Sequence, residues 1–299
     1  MSDPALEGFS IIAQGLYLEG LAIDSARDII WYSDVIGGGI HAVRPDGSRV
    51  TAFNEGRMWT GGVMLNADGC VLSSGQGGIM WNNPDLGTSG WLVDQINGEP
   101  VNGINEMAPD GFGGIFFGTV DIENVIGGQP PRATAIYHLA KDGNLNCVEP
   151  EIGFANGLMF DASRMHLYCN DTFNGTWAFD VASDRALGGK RFILGKEDAD
   201  GLALDAEGML WITGFRSGFF TRITPAGERL SDVPTPAGSI TQLRFAGPDG
   251  RDCYFNAVPT DGGDALKDGG EITTANSFLY KARSSVSGQP VPPAQFKLR

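Results

Sequence analysis

The chain has no run approaching the roughly 18 consecutive apolar residues that a membrane helix requires. Its first residues, Met1 to Gly8, lack the basic end and apolar stretch of a secretory signal. Basic residues are few: 21 Lys and Arg stand against 36 Asp and Glu in 299 residues, a formal net charge of −15. That balance argues against nucleic acid and anionic membrane surfaces as partners, since both reward basic patches; it is compatible with cation binding. Cysteine is limited to Cys70, Cys147, Cys169 and Cys253, with no Cys-x-x-Cys spacing. Three of them fall in apolar strand-like runs, where a reduced thiol acts as a small buried hydrophobe, as expected of a cytoplasmic protein. Also missing are a Gly-x-Ser-x-Gly elbow, a His-Glu-x-x-His pair and a Gly-Lys-Ser/Thr phosphate loop. Their absence removes the common serine-hydrolase, zinc-protease and nucleotide readings.

Helical periodicity is nearly absent, while glycine is abundant at 44 residues. The positive signal is self-similarity at a period of about forty residues, the mark of a propeller or solenoid. The shared layout is a short residue and glycine, an apolar strand, a tight acidic turn and a second strand rich in aromatics; the copy at Thr241-Gln242 is weaker, and that at Asn105-Glu106 has Glu in place of Gly. Glu19-Gly20-Leu21-Ala22-Ile23-Asp24 leads to Ile29-Ile30-Trp31-Tyr32, and Asn156-Gly157-Leu158-Met159-Phe160-Asp161 leads to His166-Leu167-Tyr168. Asp200-Gly201-Leu202-Ala203-Leu204-Asp205 leads to Leu210-Trp211-Ile212, and further copies begin at Gly61, Asn105 and Thr241. Six copies predict an all-β fold: a single six-bladed β-propeller over residues 1–299, with four-stranded antiparallel blades. The strand Phe9-Ser10-Ile11-Ile12-Ala13 precedes the first copy. It is expected to close the ring beside Phe278-Leu279-Tyr280, which removes an open sheet edge.

The first strand of each blade runs along the axis, so residues that begin these strands collect at one end of the channel. Around the ring they read Glu19, Gly61, Asn105, Asn156, Asp200 and Thr241. Two carboxylates and two amides on one narrow ring would repel or stay unsatisfied without a cation or water between them. All are hard oxygen donors, which suits Ca²⁺ first and also Mg²⁺ or Mn²⁺, with Zn²⁺ possible. The alternative is that Asn-Gly and Asp-Gly here are hairpin turn signals. Against it, Glu19 is a poor turn residue and these positions follow variable loops. Loops at the same end carry Met58, Trp59, Phe154, Phe173 and Phe215, an apolar mouth unless these rings pack between blades. Asp171, at the end of a second strand, is a candidate to orient Asn156 or bind substrate. The insertion from Asp261 to Gly270 reads as a solvated loop, with a lid as the sharper alternative. His41, His138 and His166 lie in second or third strands, away from the axis.

The ordered set Leu18-Glu19-Gly20, Asn105 with Gly118-Thr119, Asn156-Gly157-Leu158, and Asp200-Gly201 with Glu207-Gly208 and Leu210-Trp211 resembles the SMP-30/gluconolactonase (regucalcin-like) family. The likeness spans nearly the whole chain, down to Pro293-Ala294-Gln295-Phe296. It implies one divalent metal held at Glu19, Asn156 and Asp200, with Asn105 touching metal or substrate and Asp200 as the base. It also implies a loop glutamate at Glu123, beside Asp121, that meets substrate. Three departures stand out: Leu18 and Leu21 flank Glu19 in place of Gly and Pro, Glu106 follows Asn105 in place of Asp, and Gly103 stands where sugar lactonases carry an Arg.

The expected activity is hydrolysis of a small lactone, a sugar lactone or a more apolar one, with a metal polarising the carbonyl and acidifying water. Asp200 would accept the proton, and Asn105, Asp121, Glu123, Trp59, Phe154, Asp171 and Phe215 would contact the substrate. The alternatives are a non-catalytic calcium- or ligand-binding propeller and a phosphotriesterase-like hydrolase on the same scaffold. A monomer or weak homo-oligomer is expected.

Overall fold

The structure, a computed structural model, describes residues 4–127, 129, 132, 134–267 and 272–298. It is all-β and propeller-like. Among the described residues four sheets have four antiparallel strands each, and a fifth has eight. The first three sheets begin with Leu18–Asp24, Val63–Leu65 and Ile104–Pro109, and the fourth with Ala155–Phe160. The eight-stranded sheet holds two runs of four strands, one opening with Ala199–Leu204 and the other with Ser239–Ala246. The two runs are joined through a single residue pair, Gly214 with Ile240. The six separate blades expected from the repeat thus appear as four free sheets and one fused one. The six opening strands pack side by side in repeat order, and the last returns to the first. The N-terminal strand Leu6–Gly15 pairs antiparallel with Ser277–Ser284, bringing Ile11 opposite Tyr280.

Acidic turns at the far end fit their local chemistry. Asp205 accepts from the backbone of Glu207 (3.0 Å) and Met209 (2.9 Å), while Gly208 takes a left-handed φ of 81°. Between sheets the core is aromatic: Trp31, Trp211, Phe116, Phe160, Phe220 and Phe255 are fully buried. Phe116 meets Phe160 edge-on at 5.2 Å across two sheets. The C-terminal tail straps the turn end, with Gln289 bonded to Leu204 and Phe160, Ala294 to Leu65, and Gln295 to Gly113. Cys70, Cys169 and Cys253 are buried, and Cys147 is exposed. Among the described residues no helix is long and apolar enough to cross a membrane.

Candidate active site

The polar residue and glycine pairs Glu19-Gly20, Asn156-Gly157 and Asp200-Gly201 lie inside the inner strands, not in hairpin turns. Strand pairing slips there, between Leu18 and Leu21, Ile104 and Met107, Ala155 and Leu158, and Ala199 and Leu202. A bulge of this kind re-aims a side chain, and Glu19, Asn105, Asn156 and Asp200 all line one cavity. The glycine is required by close approach: a Cβ on Gly157 would lie 2.5 Å from the Asp200 carbonyl oxygen. Gly20 and Gly201 press in the same way on the carbonyls of Gly61 and Thr241. The repeat motif therefore serves to bring neighbouring inner strands together.

The second strands hold this ring in place. Ser33 donates to the carbonyl of Gly61 (2.6 Å), Ser74 to that of Asn105 (2.6 Å) and Thr213 to that of Thr241 (3.0 Å). Asn170 donates to the carbonyls of Asp200 (2.8 Å) and Gly201 (3.1 Å), and Asn256 to that of Glu19 (2.5 Å). In the third sheet Gly118 stands at the matching place, against the Ala155 side chain. This belt escapes sequence reading, although a small polar residue in the second strand of most copies is its trace.

Within the cavity Asn105 donates to the Ala155 carbonyl (3.2 Å), and Asn156 to the hydroxyl of Thr172 (3.3 Å). Thr172 in turn donates to the Ala199 carbonyl (2.7 Å). Asp200 is buried, and its Oδ1 has no hydrogen-bond partner. Burial, with the charges of Glu19 and Glu106, raises its carboxyl well above the ordinary range. Glu19, whose carboxylate faces the cavity, is pushed up to about 8 by burial and by Glu106. Glu106 is itself buried and accepts from Gln242 (3.2 Å), with Arg244 at 3.8 Å. Arg244 also donates to Gln242 Oε1 (2.7 Å). Three acidic groups thus act on one another while the Arg244 guanidinium faces Glu106 alone among them, an acidic excess in a desolvated space. That excess, the orphaned Asp200 oxygen and two amides fit a hard divalent cation. Among the described residues no three His, Cys, Asp or Glu side chains form a metal cluster; the candidate set pairs Glu19 and Asp200 with Asn105 and Asn156.

Above these groups the walls are Trp59, Phe154, Phe173 and Phe215. Val125 comes from α1 (Ile122–Ile126) and Leu266 from α2 (Gly262–Lys267), two short helices that touch one another. The stretch read as a solvated loop or lid is therefore helical over 262–267, and its residues 268–270 lie outside the described residues. Met58 is exposed and does not line the cavity.

Three expected substrate contacts sit elsewhere. Asp121 caps α1 by accepting from Asn124 (3.2 Å) and pairs with Arg132 (3.4 Å). With exposed Glu123 it faces a separate hollow beside Thr119 and Tyr137. Asp171 is buried and accepts from the backbone of Phe154 (2.7 Å) and from Asn174 and Trp177. Its role is to hold the loops that carry the aromatic wall. At Gly103 a Cβ would overlap the end of the Ile122 side chain, so any larger residue there requires Ile122 to move. The histidines are remote from the cavity: His41 stacks on Tyr32, His138 pairs with Asp110, and His166 with Asp161. A larger hollow of about 520 Å³ lies at the turn end among Met64, Met107 and Met159, without converging carboxylates.

Residues 18–258 match the model of the SMP-30/gluconolactonase/LRE-like region, and the chain belongs to that family. Pentonolactonase XacC of Haloferax volcanii is 24% identical over 277 residues, covering 87% of this chain and 88% of that protein. A calcium-binding protein, regucalcin, of Agrobacterium tumefaciens superposes with a TM-score of 0.78 at 20% identity, over 97% of this chain and 98% of that one. A gluconolactonase of Xanthomonas campestris does so with a TM-score of 0.75 at 22% identity, over 95% of each.

Proposed function

We propose that the chain is one six-bladed propeller over residues 1–299, in the cytoplasm, that hydrolyses a small lactone with a divalent cation. The cyclic packing of six inner strands supports that blade count, as does the single-pair junction in the eight-stranded sheet. The observation that carries the chemistry is the buried, unpartnered Oδ1 of Asp200 where Glu19, Asn105 and Asn156 converge. Lactonase and gluconolactonase relatives support the reaction class, and the calcium-binding regucalcin supports Ca²⁺ as the first choice of cation.

Glu19, Asn156 and Asp200 would hold the cation, and Asn105 would contact cation or substrate. When bound, the cation supplies Lewis-acid polarisation and acidifies water. Asp200 takes the proton as water oxygen bonds to the lactone carbonyl carbon. The ring ester C–O bond then breaks, and Asp200 returns the proton to the departing alkoxide, giving a hydroxy acid. The aromatic wall orients the ring and excludes bulk water. The test is turnover of a lactone panel by chelated protein reloaded with Ca²⁺, Mg²⁺, Mn²⁺ or Zn²⁺. Asp200→Asn should lower kcat by roughly 10²–10⁴, the usual worth of a positioned base. Wild-type turnover in that variant would remove Asp200 from the role, and no turnover with any cation would favour a binding module.

A further inference from the structure

We propose that this site selects lactones bearing an apolar alkyl or aryl substituent over polyhydroxylated ones, a specificity that rests on the lactone-hydrolase reading above. Beyond the four candidate ligands, the polar side chains among the described residues lining the cavity are Tyr17, Trp59, Gln129 and Thr172, with no Arg, Lys, Ser or His. Thr172 lines it, but its hydroxyl is engaged by Asn156 and the Ala199 carbonyl. A ring carrying a hydroxyl on most carbons would outnumber these few partners and leave hydroxyls unpaired, a situation that discriminates strongly against a ligand.

The apolar side is a connected surface. Phe154 meets Phe173 edge-on at 6.3 Å, and Phe173 meets Phe215 at 5.9 Å. Val125 and Leu266 extend it from the two helices. Phe154, Phe173 and Phe215 belong to none of the buried clusters between the sheets. Phe173 is 37% exposed, so its ring is not placed there to fill a core.

Backbone geometry points the same way. Among the described residues seven non-glycine positions have positive φ, and five are the Asp, Asn or Arg of ordinary turns. The other two are Trp59 (φ 54°) and Phe173 (φ 76°), and both line this cavity. A bulky aromatic in the left-handed region is strained and persists only where its surroundings force it there. The strain is spent on presenting two aromatic faces to one small space.

The test measures kcat/KM of the cation-loaded protein on γ-nonalactone, dihydrocoumarin, γ-butyrolactone, glucono-δ-lactone and a pentonolactone. The substituted apolar lactones should exceed the sugar lactones by at least about tenfold, the low end of what one apolar group contributes. Phe173→Ala should collapse that ratio, and Phe173→Leu should restore part of it. Equal or faster turnover of the sugar lactones overturns the proposal and leaves the hydrolase reading standing. If no lactone turns over, the hydrolase reading fails and binding decides the specificity. Saturable quenching of Trp fluorescence by γ-nonalactone but not by gluconolactone, lost in Trp59→Phe, then supports apolar selection. No such quenching overturns it.

Discussion

The hydroxyl of Ser74 donates to the backbone carbonyl of Asn105 across 2.6 Å, from the second strand of one sheet to the inner strand of the next. Asn170 makes the stronger form of this contact, satisfying the carbonyls of both Asp200 and Gly201 while Thr176 donates to its own oxygen (2.7 Å). The Asn105 carbonyl keeps the Gly62 backbone N–H as a donor (2.7 Å) when Ser74 is removed, so the loss is one net hydrogen bond. Ser74→Ala should therefore lose about 0.5–1.5 kcal/mol in urea unfolding, and Asn170→Ala more. Calcium titration by calorimetry should separate them further, because Asn170 steadies the backbone of Asp200 and Ser74 that of Asn105. Equal calcium affinity in all three proteins would reduce the belt to a purely structural device.

The carboxylates give stability a pH dependence whose sign depends on the cation. Glu19 is held near 8 in the metal-free protein, above the ordinary 4.5, and Asp200 is raised by the same causes. A folded-state pKa above the unfolded value means that stability is full below the unfolded value and is lost as pH rises toward the folded one. In chelator, Tm should fall by roughly 5–10 °C between pH 5 and pH 8. Glu19→Gln should flatten that slope. Saturating Ca²⁺ binds only the deprotonated ring, so it should lift Tm most at pH 8. A melting temperature in chelator that is flat or rising over this range would show that these groups are not raised.

Glu106 offers a third measurement. It adds a third negative charge behind Glu19 and Asp200, and it is the acidic partner of buried Arg244. Glu106→Gln should weaken Ca²⁺ binding by about tenfold, corresponding to about 1.4 kcal/mol of lost attraction. It should also destabilise the fold by about 3–5 kcal/mol, since it strands the Arg244 guanidinium. Pairing it with Arg244→Met should recover much of the stability and none of the calcium affinity. Recovery of both would mean that Glu106 acts only through Arg244.

The repeat made the cavity's four ligand candidates legible, because a polar residue at the same place in successive copies must meet its equivalents on the axis. It did not explain the glycine, since Asn156-Gly157 reads the same whether it turns a hairpin or admits a neighbouring carbonyl. Glu106 is visible only as an exception, an acid where four of the other five copies have glycine. Its partner Arg244 lies 138 positions downstream (244 − 106), beyond the reach of local pattern. Asp171 and Asp121 lie outside the cavity lining for a shared reason: a carboxylate just before a turn or helix can face a ligand or collect nearby backbone N–H groups. Only folded geometry separates those two roles. Helix α2 was hidden by the glycines at its start, and α1 by its brevity.

The close approach of the inner strands predicts opposite outcomes for two glycines in the same sheet. A methyl group on Gly157 would meet the Asp200 carbonyl oxygen at 2.5 Å and the Leu202 nitrogen at 2.6 Å, both rigid backbone. Gly157→Ala must then push the inner strands apart, at about 1–3 kcal/mol or more, and displace Asp200 from Glu19. Gly188, in the outer strand Leu187–Gly195, has nothing within 4 Å of the same methyl and no positive φ. Gly188→Ala should be neutral or stabilise by about 0.4–1 kcal/mol through the unfolded chain. Urea unfolding of both variants and calcium titration of Gly157→Ala test the pair. If Gly157→Ala unfolds like wild type and binds calcium unchanged, the repeat glycine is not a spacer, and its place in the motif needs another cause.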